Sequence, residues 1–347
     1  MFHVFEGETA DEVWRAIAGK LCADAASQPS RAGDTRELLH AAIGIRNPRQ
    51  RWVFARTPPL NPGFAIAEVV WLLSGRRDAA FLNYFNRELP KYAGTGEAYH
   101  GAYGYRLRRH LDFDQLLRAF EVLRSSPASR QVVLQIWDAT VDMPGETGEP
   151  RAPDIPCNVM TLLKIRNGKL ELTEIVRSND AFRGLPYNIV QFTTLQEVLA
   201  GWLGVELGEY AQLSDSLHAY SDSVPSLKRL PLEQAAMNTD NLALPKPISD
   251  ESISTLASSI ERMTSADASG EEIVGFLENK SLPQGFYHLL CVVSAEALRR
   301  RKLPHLAAQA MVNCKNPALQ QLWARWTARV TALQAETREE PGYLEVR

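Results

Sequence analysis

Cys157 follows Pro156 at the head of a strand-like run, and further on Arg177-Ser178-Asn179-Asp180 gathers a cation, a hydroxyl, an amide and a carboxylate in consecutive positions. A guanidinium beside a thiol favours the thiolate, which is the nucleophilic form, so an adjacent Arg177 is expected to lower the Cys157 pKa. Arginine with serine also grips phosphate, through forked donors and a short hydroxyl bond. The bland readings are a small buried hydrophobe for Cys157, a surface ion pair for Arg177, and helix capping for Asn179 or Asp180. Cys22, Cys291 and Cys314 stand in helical or apolar text and read as structural.

The elements that would position these groups are legible from spacing. Asn158 to Ile165 and Lys169 to Arg177 read as two strands joined at Asn167-Gly168, a pair suited to a turn with positive φ at both central positions. Such a turn fixes register, so Leu163 faces Leu172, Lys164 faces Glu171, Cys157 faces Ser178 and Asn158 stands opposite Arg177. The open end of the hairpin then gathers thiol, hydroxyl and guanidinium. Around it, Asp11 to Leu21 reads as an amphipathic helix, and Phe64 to Phe85 as a core helix interrupted near Gly75 and carrying one acidic residue, Glu68. Phe113 to Leu123 is a second amphipathic helix, Val132 to Trp137 a short buried strand, and Met143 to Asp154 a surface loop. Tyr187 to Leu203 is a long core helix stopped near Gly204. Beyond the Pro-bearing stretch Asn238 to Pro247 the text turns helical, dividing the chain into 1–247 and a helical extension, 248–347.

At 347 residues, 45% apolar and 23% charged, the chain has the make-up of a globular enzyme. Lys+Arg 38 against Asp+Glu 41 gives a net charge of -3, so neither nucleic acid nor an anionic membrane is expected as main partner. The four cysteines lack the paired spacing of a metal cage or disulfide framework, which suits reducing cytoplasm and no metal. An acidic N-terminus and the lack of any apolar run of about 18 residues disfavour secretion and membrane spanning. No repeat at a fixed period is present.

Pro156-Cys157, Arg177-Ser178-x-Asp180, Gly184-x-Pro186-x-Asn188 and His218-x-Tyr220 occur in an order and at intervals that resemble the thymidylate synthase family. The resemblance extends upstream to Glu68 in Glu-Val-Val-Trp-Leu-Leu, to Tyr103-Gly104 in HGAYGYRLR and to Ser129-Arg130, covering about residues 40 to 245. It implies an α+β sandwich whose large mixed sheet packs against a second copy across a two-fold axis. It further implies that Cys157 attacks C6 of a pyrimidine nucleoside monophosphate, activating C5 to take a one-carbon unit from methylenetetrahydrofolate. Arg177 and Ser178 would hold the 5′-phosphate, joined by Arg130 acting in trans from the second subunit of a homodimer and by Arg46 or Arg49. Asn188 would read the base edge, and an amide that both donates and accepts suits uracil, where an aspartate would suit cytosine. His218 and Tyr220 would contact the sugar, Glu68 would organise proton transfers around the base, Tyr103 would sit beside the nucleophile, and Asp180 with Gly184 would lie by the folate pterin. Taken singly, each has an ordinary structural reading: a buried pair for Glu68, a core tyrosine for Tyr103, a helix-start amide for Asn188.

The chain departs from the family pattern at several places. Asn158 replaces the histidine that usually follows the nucleophile, Val176 a glutamine, and Gln131 a second arginine, while Asp215 stands three residues before His218 instead of two. In place of a short apolar tail that closes over folate, about 100 further residues run to PGYLEVR. Closure decides the product, because hydride from the folate gives a methyl group and water gives a hydroxymethyl group. RSND and HGAYG look like the hydroxymethylase side, and Asn188 favours uracil. The expected activity is C5 transfer onto a uridylate, with methylation placed first and a (d)CMP or (d)UMP hydroxymethylase as alternative. A non-catalytic nucleotide-binding protein that uses residues 248–347 for interaction is the rival class; retention of Cys157 speaks against it.

Overall fold

Asn167 and Gly168 take positive φ, 50° and 74°, and the turn they make launches the hairpin that organises the sheet. The computed structural model describes residues 2–30, 33–278 and 281–339, so the terminal PGYLEVR lies outside the described residues. Its strands are β1 (His3–Gly7), β2 (Ala26–Gln28), β3 (Thr35–Ile45), β4 (Val133–Gln135), β5 (Asn158–Arg166), β6 (Lys169–Asp180) and β7 (Glu206–Tyr220). They form one seven-stranded mixed sheet in the order β1-β3-β7-β6-β5-β4, with β2 added beside β3. β1/β3 and β6/β7 run parallel and the other pairs antiparallel.

Parallel neighbours need a crossover, and helix Leu185–Leu203 supplies it between β6 and β7. In chain order the main helices are α1 (Ala10–Asp24), α2 (Pro62–Leu73), α3 (Tyr103–Arg108), α4 (Gln115–Ser125), α5 (Leu185–Leu203), α6 (Lys246–Thr264), α7 (Gln284–Arg300), α8 (Pro304–Val312) and α9 (Pro317–Glu339). The Asn61 side chain caps α2 by accepting from Phe64 N–H at 3.1 Å, and Pro62 occupies the first turn, where its missing N–H is harmless. α2 ends at Gly75, whose φ of 64° breaks the helix as the sequence suggests. Gly204, at φ 67°, stops α5 in the same way.

The core lies between one face of the sheet and the helices. α5 contributes Phe192, Leu195, Val198 and Leu199, while α2 contributes Ile66, Val70 and Leu72. Two close approaches set the layer. A Cβ on Gly104 would come 2.2 Å from the Leu72 carbonyl oxygen, so glycine alone lets α3 lie on α2. A Cβ on Gly63 would meet the Glu296 side chain at 2.8 Å, where α7 crosses α2. The helices beyond residue 247 thus pack on the helix that carries Glu68, and their apolar side chains join the same core. Buried Glu296 holds this crossing by pairing with Arg299 and Arg300 and accepting from Trp326 Nε1 at 3.1 Å. On the other sheet face Leu39, Val133 and Leu213 are exposed. Among the described residues no helix is long and apolar enough to cross a membrane.

Candidate active site

Strand directions bring the chemistry to one edge of the sheet. β5 runs antiparallel to β6 and β6 parallel to β7, so the start of β5 and the ends of β6 and β7 lie together. Cys157 precedes β5, Arg177, Ser178 and Asp180 end β6, and His218 and Tyr220 end β7. Asp180 pairs with His218 and Ser178 with Ser216, while Glu37 of β3 stands opposite His218. The turn after β6 then enters α5 at Gly184, which places Asn188 in the first turns of that helix over the same edge. α2 brings Glu68 and α3 brings Tyr103, whose ring packs against Phe192 at 5.8 Å.

The hairpin keeps the expected register from Arg166 back to Met160, with Leu163 opposite Leu172 and Lys164 opposite Glu171. It then slips by one residue. Asn158 pairs with Val176, and the Arg177 N–H donates to the Cys157 carbonyl at 2.9 Å, so the expected facing of Cys157 with Ser178 and of Asn158 with Arg177 is corrected. The cause is a bulge at Val159, whose carbonyl accepts from both Ile136 and Trp137 N–H at 3.0 and 3.1 Å. The same bonds account for β4 ending at Gln135 and not at Trp137. The shift lets the Arg177 guanidinium reach the carbonyls of Pro156 (2.9 Å) and Ile155 (3.1 Å), holding the segment that leads into the nucleophile.

Electrostatics also correct an expectation. Burial pushes the Cys157 thiol above its ordinary value; Arg177 pulls it down, Asp154 and Asp180 push it up, and burial wins. Tyr103 is held well above the usual tyrosine range by burial, with its hydroxyl against the backbone N–H groups of Cys157 and Asn158. Burial raises Glu68 to about 8, and its Oε2 is buried with no hydrogen-bond partner. It is therefore a proton carrier at neutral pH. Asp180 accepts through Oδ1 from Phe182 and Arg183 N–H at 2.8 and 2.9 Å, and burial raises it too. The His218 and Tyr220 rings meet edge-on at 5.7 Å.

Behind the nucleophile, Asn158 is fully buried and donates through Nδ2 to Glu174 at 2.7 Å, while Thr161 donates to the other carboxyl oxygen at 2.5 Å. Burial raises Glu174 to about 8 despite both bonds. The folded protein therefore keeps a proton that the unfolded chain releases near pH 4 to 5, and stability falls as pH rises from there through about 8. Glu174→Gln keeps the hydrogen-bonding shape without a charge. It is expected to shrink the fall in Tm between about pH 6 and pH 9 by about 3 °C or more, with Glu68 supplying the remainder; thermal melts with identical slopes for variant and wild type would refute this.

Other expected phosphate ligands do not join the site. Arg46 pairs with Glu6 and Glu8, and Arg49 with Glu197 and Asn241. Both follow Ile45, which pairs with Tyr210, whereas Ser178 stands level with Ser216 and Leu39 toward the other end of the same strands, about 20 Å away at the usual rise per residue. Arg130 is exposed beside Ile165, Arg166 and Asn167 at the hairpin turn, so it does not reach the site of its own chain. Gly184 lies at the site, its Cα region near the Asn188 amide.

Sequence reasoning missed three neighbours. Arg56 donates to the Phe182 carbonyl at 2.8 Å, stacks over the Phe182 ring at 4.3 Å, and feels the charge of Asp180. Arg183 lies over the Tyr220 ring at 4.7 Å and bonds Asp222 at 2.7 Å. Asp154, assigned to a surface loop, turns inward to accept from Gly101 N–H at 3.0 Å. Arg183 lies between two of the quoted motifs, but nothing local signals Arg56 or Asp154.

The family model described as Thymidylate synthase matches residues 48–264. Among known proteins, the deoxyuridylate hydroxymethyltransferase of Bacillus phage SP01 is 32% identical over 231 residues, 63% of this chain and 59% of that protein. The protein of the same description from Pseudomonas phage M6 is 36% identical over 193 residues, 55% of this chain and 53% of its own. The chain thus aligns with less than two thirds of the length of these phage relatives. A putative thymidylate synthase of Methanothermobacter marburgensis is 27% identical over 221 residues, which are 63% of this chain and 93% of that protein. The matched segment contains Glu68, Tyr103, Cys157, Asp180, Asn188, His218 and Tyr220, the residues that the sheet edge and helix starts draw together, and by that match the chain belongs to the thymidylate synthase family.

Proposed function

We propose that this protein transfers a one-carbon unit from methylenetetrahydrofolate to C5 of dUMP and releases it as a hydroxymethyl group. The observation that carries this is the likeness, at 32% and 36% identity, to two deoxyuridylate hydroxymethyltransferases. It reverses the order expected from the sequence, which placed methylation first.

In this reading Cys157 adds to C6, and the enolate-like ring that results carries nucleophilic electron density at C5. Burial makes the free thiol reluctant to ionise, so attack requires a proton acceptor or added positive charge at the moment the nucleotide is in place. Arg177 and Ser178 hold the phosphate, with Arg56 and Arg183 as nearby cations. Asn188 accepts from the ring N–H and donates to the ring carbonyl of uracil. Glu68, carrying its proton at neutral pH, donates toward the base. The folate supplies the one-carbon unit when bound. Asp180 suits its pterin, since Oδ1 is committed to two backbone amides while Oδ2 meets only Arg183 Nε, at 3.9 Å.

A homodimer completes the site. Arg130 cannot serve its own chain, and the open sheet face with Leu39, Val133 and Leu213 is where a second copy would bring it to a partner's phosphate. Sedimentation equilibrium is expected to give twice the chain mass; a monomer at micromolar concentration would sink the trans assignment.

The test of function incubates the protein with methylenetetrahydrofolate and, separately, dUMP, UMP, dCMP and CMP, and resolves products by mass spectrometry. The expected result is 5-hydroxymethyl-dUMP with tetrahydrofolate. Thymidylate with dihydrofolate would establish methylation instead, and nucleotide binding without product would favour the non-catalytic reading.

A further inference from the structure

We propose that Asp154 is the base that takes the proton from the water completing hydroxymethyl transfer, an inference that rests on the function proposed above. Asp154 stands three residues before Cys157, in the segment whose carbonyls Arg177 holds. One carboxylate oxygen, Oδ2, accepts from Gly101 N–H at 3.0 Å. A Cβ on Gly101 would lie 2.9 Å from the carboxylate carbon and both its oxygens, so the glycine lets the carboxylate lie flat on the backbone. The other oxygen, Oδ1, makes no hydrogen bond among the described residues, and the carboxylate is close enough to Cys157 and Tyr103 to act on the charge of both.

Burial outweighs the neighbouring cations, His100 and Arg106, which pull its carboxyl down. Arg106 and His100 bond the buried Asp142, at 2.8 and 2.6 Å, and Asp154 makes no ion pair among the described residues. Burial raises its carboxyl above the ordinary aspartate range, which makes it a stronger base than an exposed aspartate. The other site carboxyls have other work in the proposed function: Glu68 holds a proton at neutral pH, and Asp180, with Oδ1 bonded to two amides, turns Oδ2 to the pterin.

The step balances without an oxidant or reductant. Once tetrahydrofolate has left, the oxygen of water bonds to the methylene carbon on C5, and its proton passes to Asp154 Oδ1. The electron pair of the C5–methylene double bond moves toward the C4 carbonyl oxygen. When C5=C6 re-forms, the C6–S bond breaks and sulfur leaves as the Cys157 thiolate.

Asp154→Asn in the full chain separates this step from earlier ones. Release of tritium from [5-³H]dUMP reports addition of Cys157 and attack by C5, both before water enters. In a single turnover with protein in excess over nucleotide, the rate of tritium release is expected to stay within about threefold of wild type while the rate of 5-hydroxymethyl-dUMP formation falls by about 100-fold or more, with a covalent protein–nucleotide adduct accumulating in intact mass spectra. Asp154→Glu, which keeps a base, is expected to recover part of the product. dUMP affinity by equilibrium dialysis, unchanged in both variants, reports an intact fold. Unchanged product formation, or equal loss of the single-turnover rates of tritium release and product, would overturn the assignment. Thymidylate from the wild type would remove the function on which it rests, an outcome that the wild-type assay alone registers.

Discussion

Cys157→Ala is expected to abolish turnover while leaving dUMP affinity within about tenfold, roughly 1.4 kcal/mol. The two effects separate because different atoms carry them. In the proposed reading only sulfur forms the bond to C6, and without that bond C5 has no electron pair to offer. Binding in that reading is spread over Arg177, Ser178, His218, Tyr220 and Asn188, which stand on β6, β7 and α5 and are expected to keep their places when a half-buried thiol is trimmed. Their support is backbone pairing, such as Asp180 with His218, together with the Arg177 contacts to Pro156 and Ile155, neither of which involves Sγ. Product formation measured beside equilibrium dialysis checks both halves. Residual turnover above about a thousandth of wild type would remove covalent catalysis from the account, and a loss of affinity beyond about a hundredfold would show that the cysteine shapes the pocket.

Asn188→Asp is expected to move base choice from uracil toward cytosine. The amide offers one acceptor and two donors, which suits the N–H and carbonyl of uracil side by side; a carboxylate only accepts and leaves that carbonyl unpaired in a half-buried site. An unsatisfied buried polar group costs about 1–3 kcal/mol, so kcat/KM for dUMP is expected to fall by about tenfold to a hundredfold. Cytosine presents an exocyclic amine where uracil presents a carbonyl, and the new carboxylate accepts from it, so dCMP turnover is expected to rise above its wild-type level. α5 itself should be undisturbed, since its start rests on Pro186 and the Gly184 turn. Parallel assays with dUMP and dCMP decide the matter: an unchanged dUMP to dCMP ratio would mean that Asn188 does not read the base.

By itself the sequence determined the parts that depend on near neighbours. Asn167-Gly168 specifies its own turn because the required positive φ is a property of those two residues, and the register it sets holds back to Met160. Glycines at 75 and 204 end helices for the same local reason. The order of motifs was enough to propose Cys157, Arg177, Asn188 and Asp180 as site residues, and the strand directions bring Cys157, Arg177 and Asp180 to one edge of the sheet.

Tertiary structure decided whatever depends on residues distant in the chain. The slip at Val159 is made by Ile136 and Trp137, which follow β4 and lie outside the hairpin, so hairpin arithmetic could not reach it. Arg49 reads as a phosphate ligand until Glu197, from α5, claims it. Arg177 is a true neighbour of Cys157, yet the thiol moves up and not down, because burial is a sum over the whole fold whereas a charge pair is visible in two residues. Asp154 shows the same limit. In the sequence it closes a polar loop; in the fold the absence of a side chain on Gly101 leaves space for its carboxylate beside the nucleophile, a relation that exists only once both loops are packed.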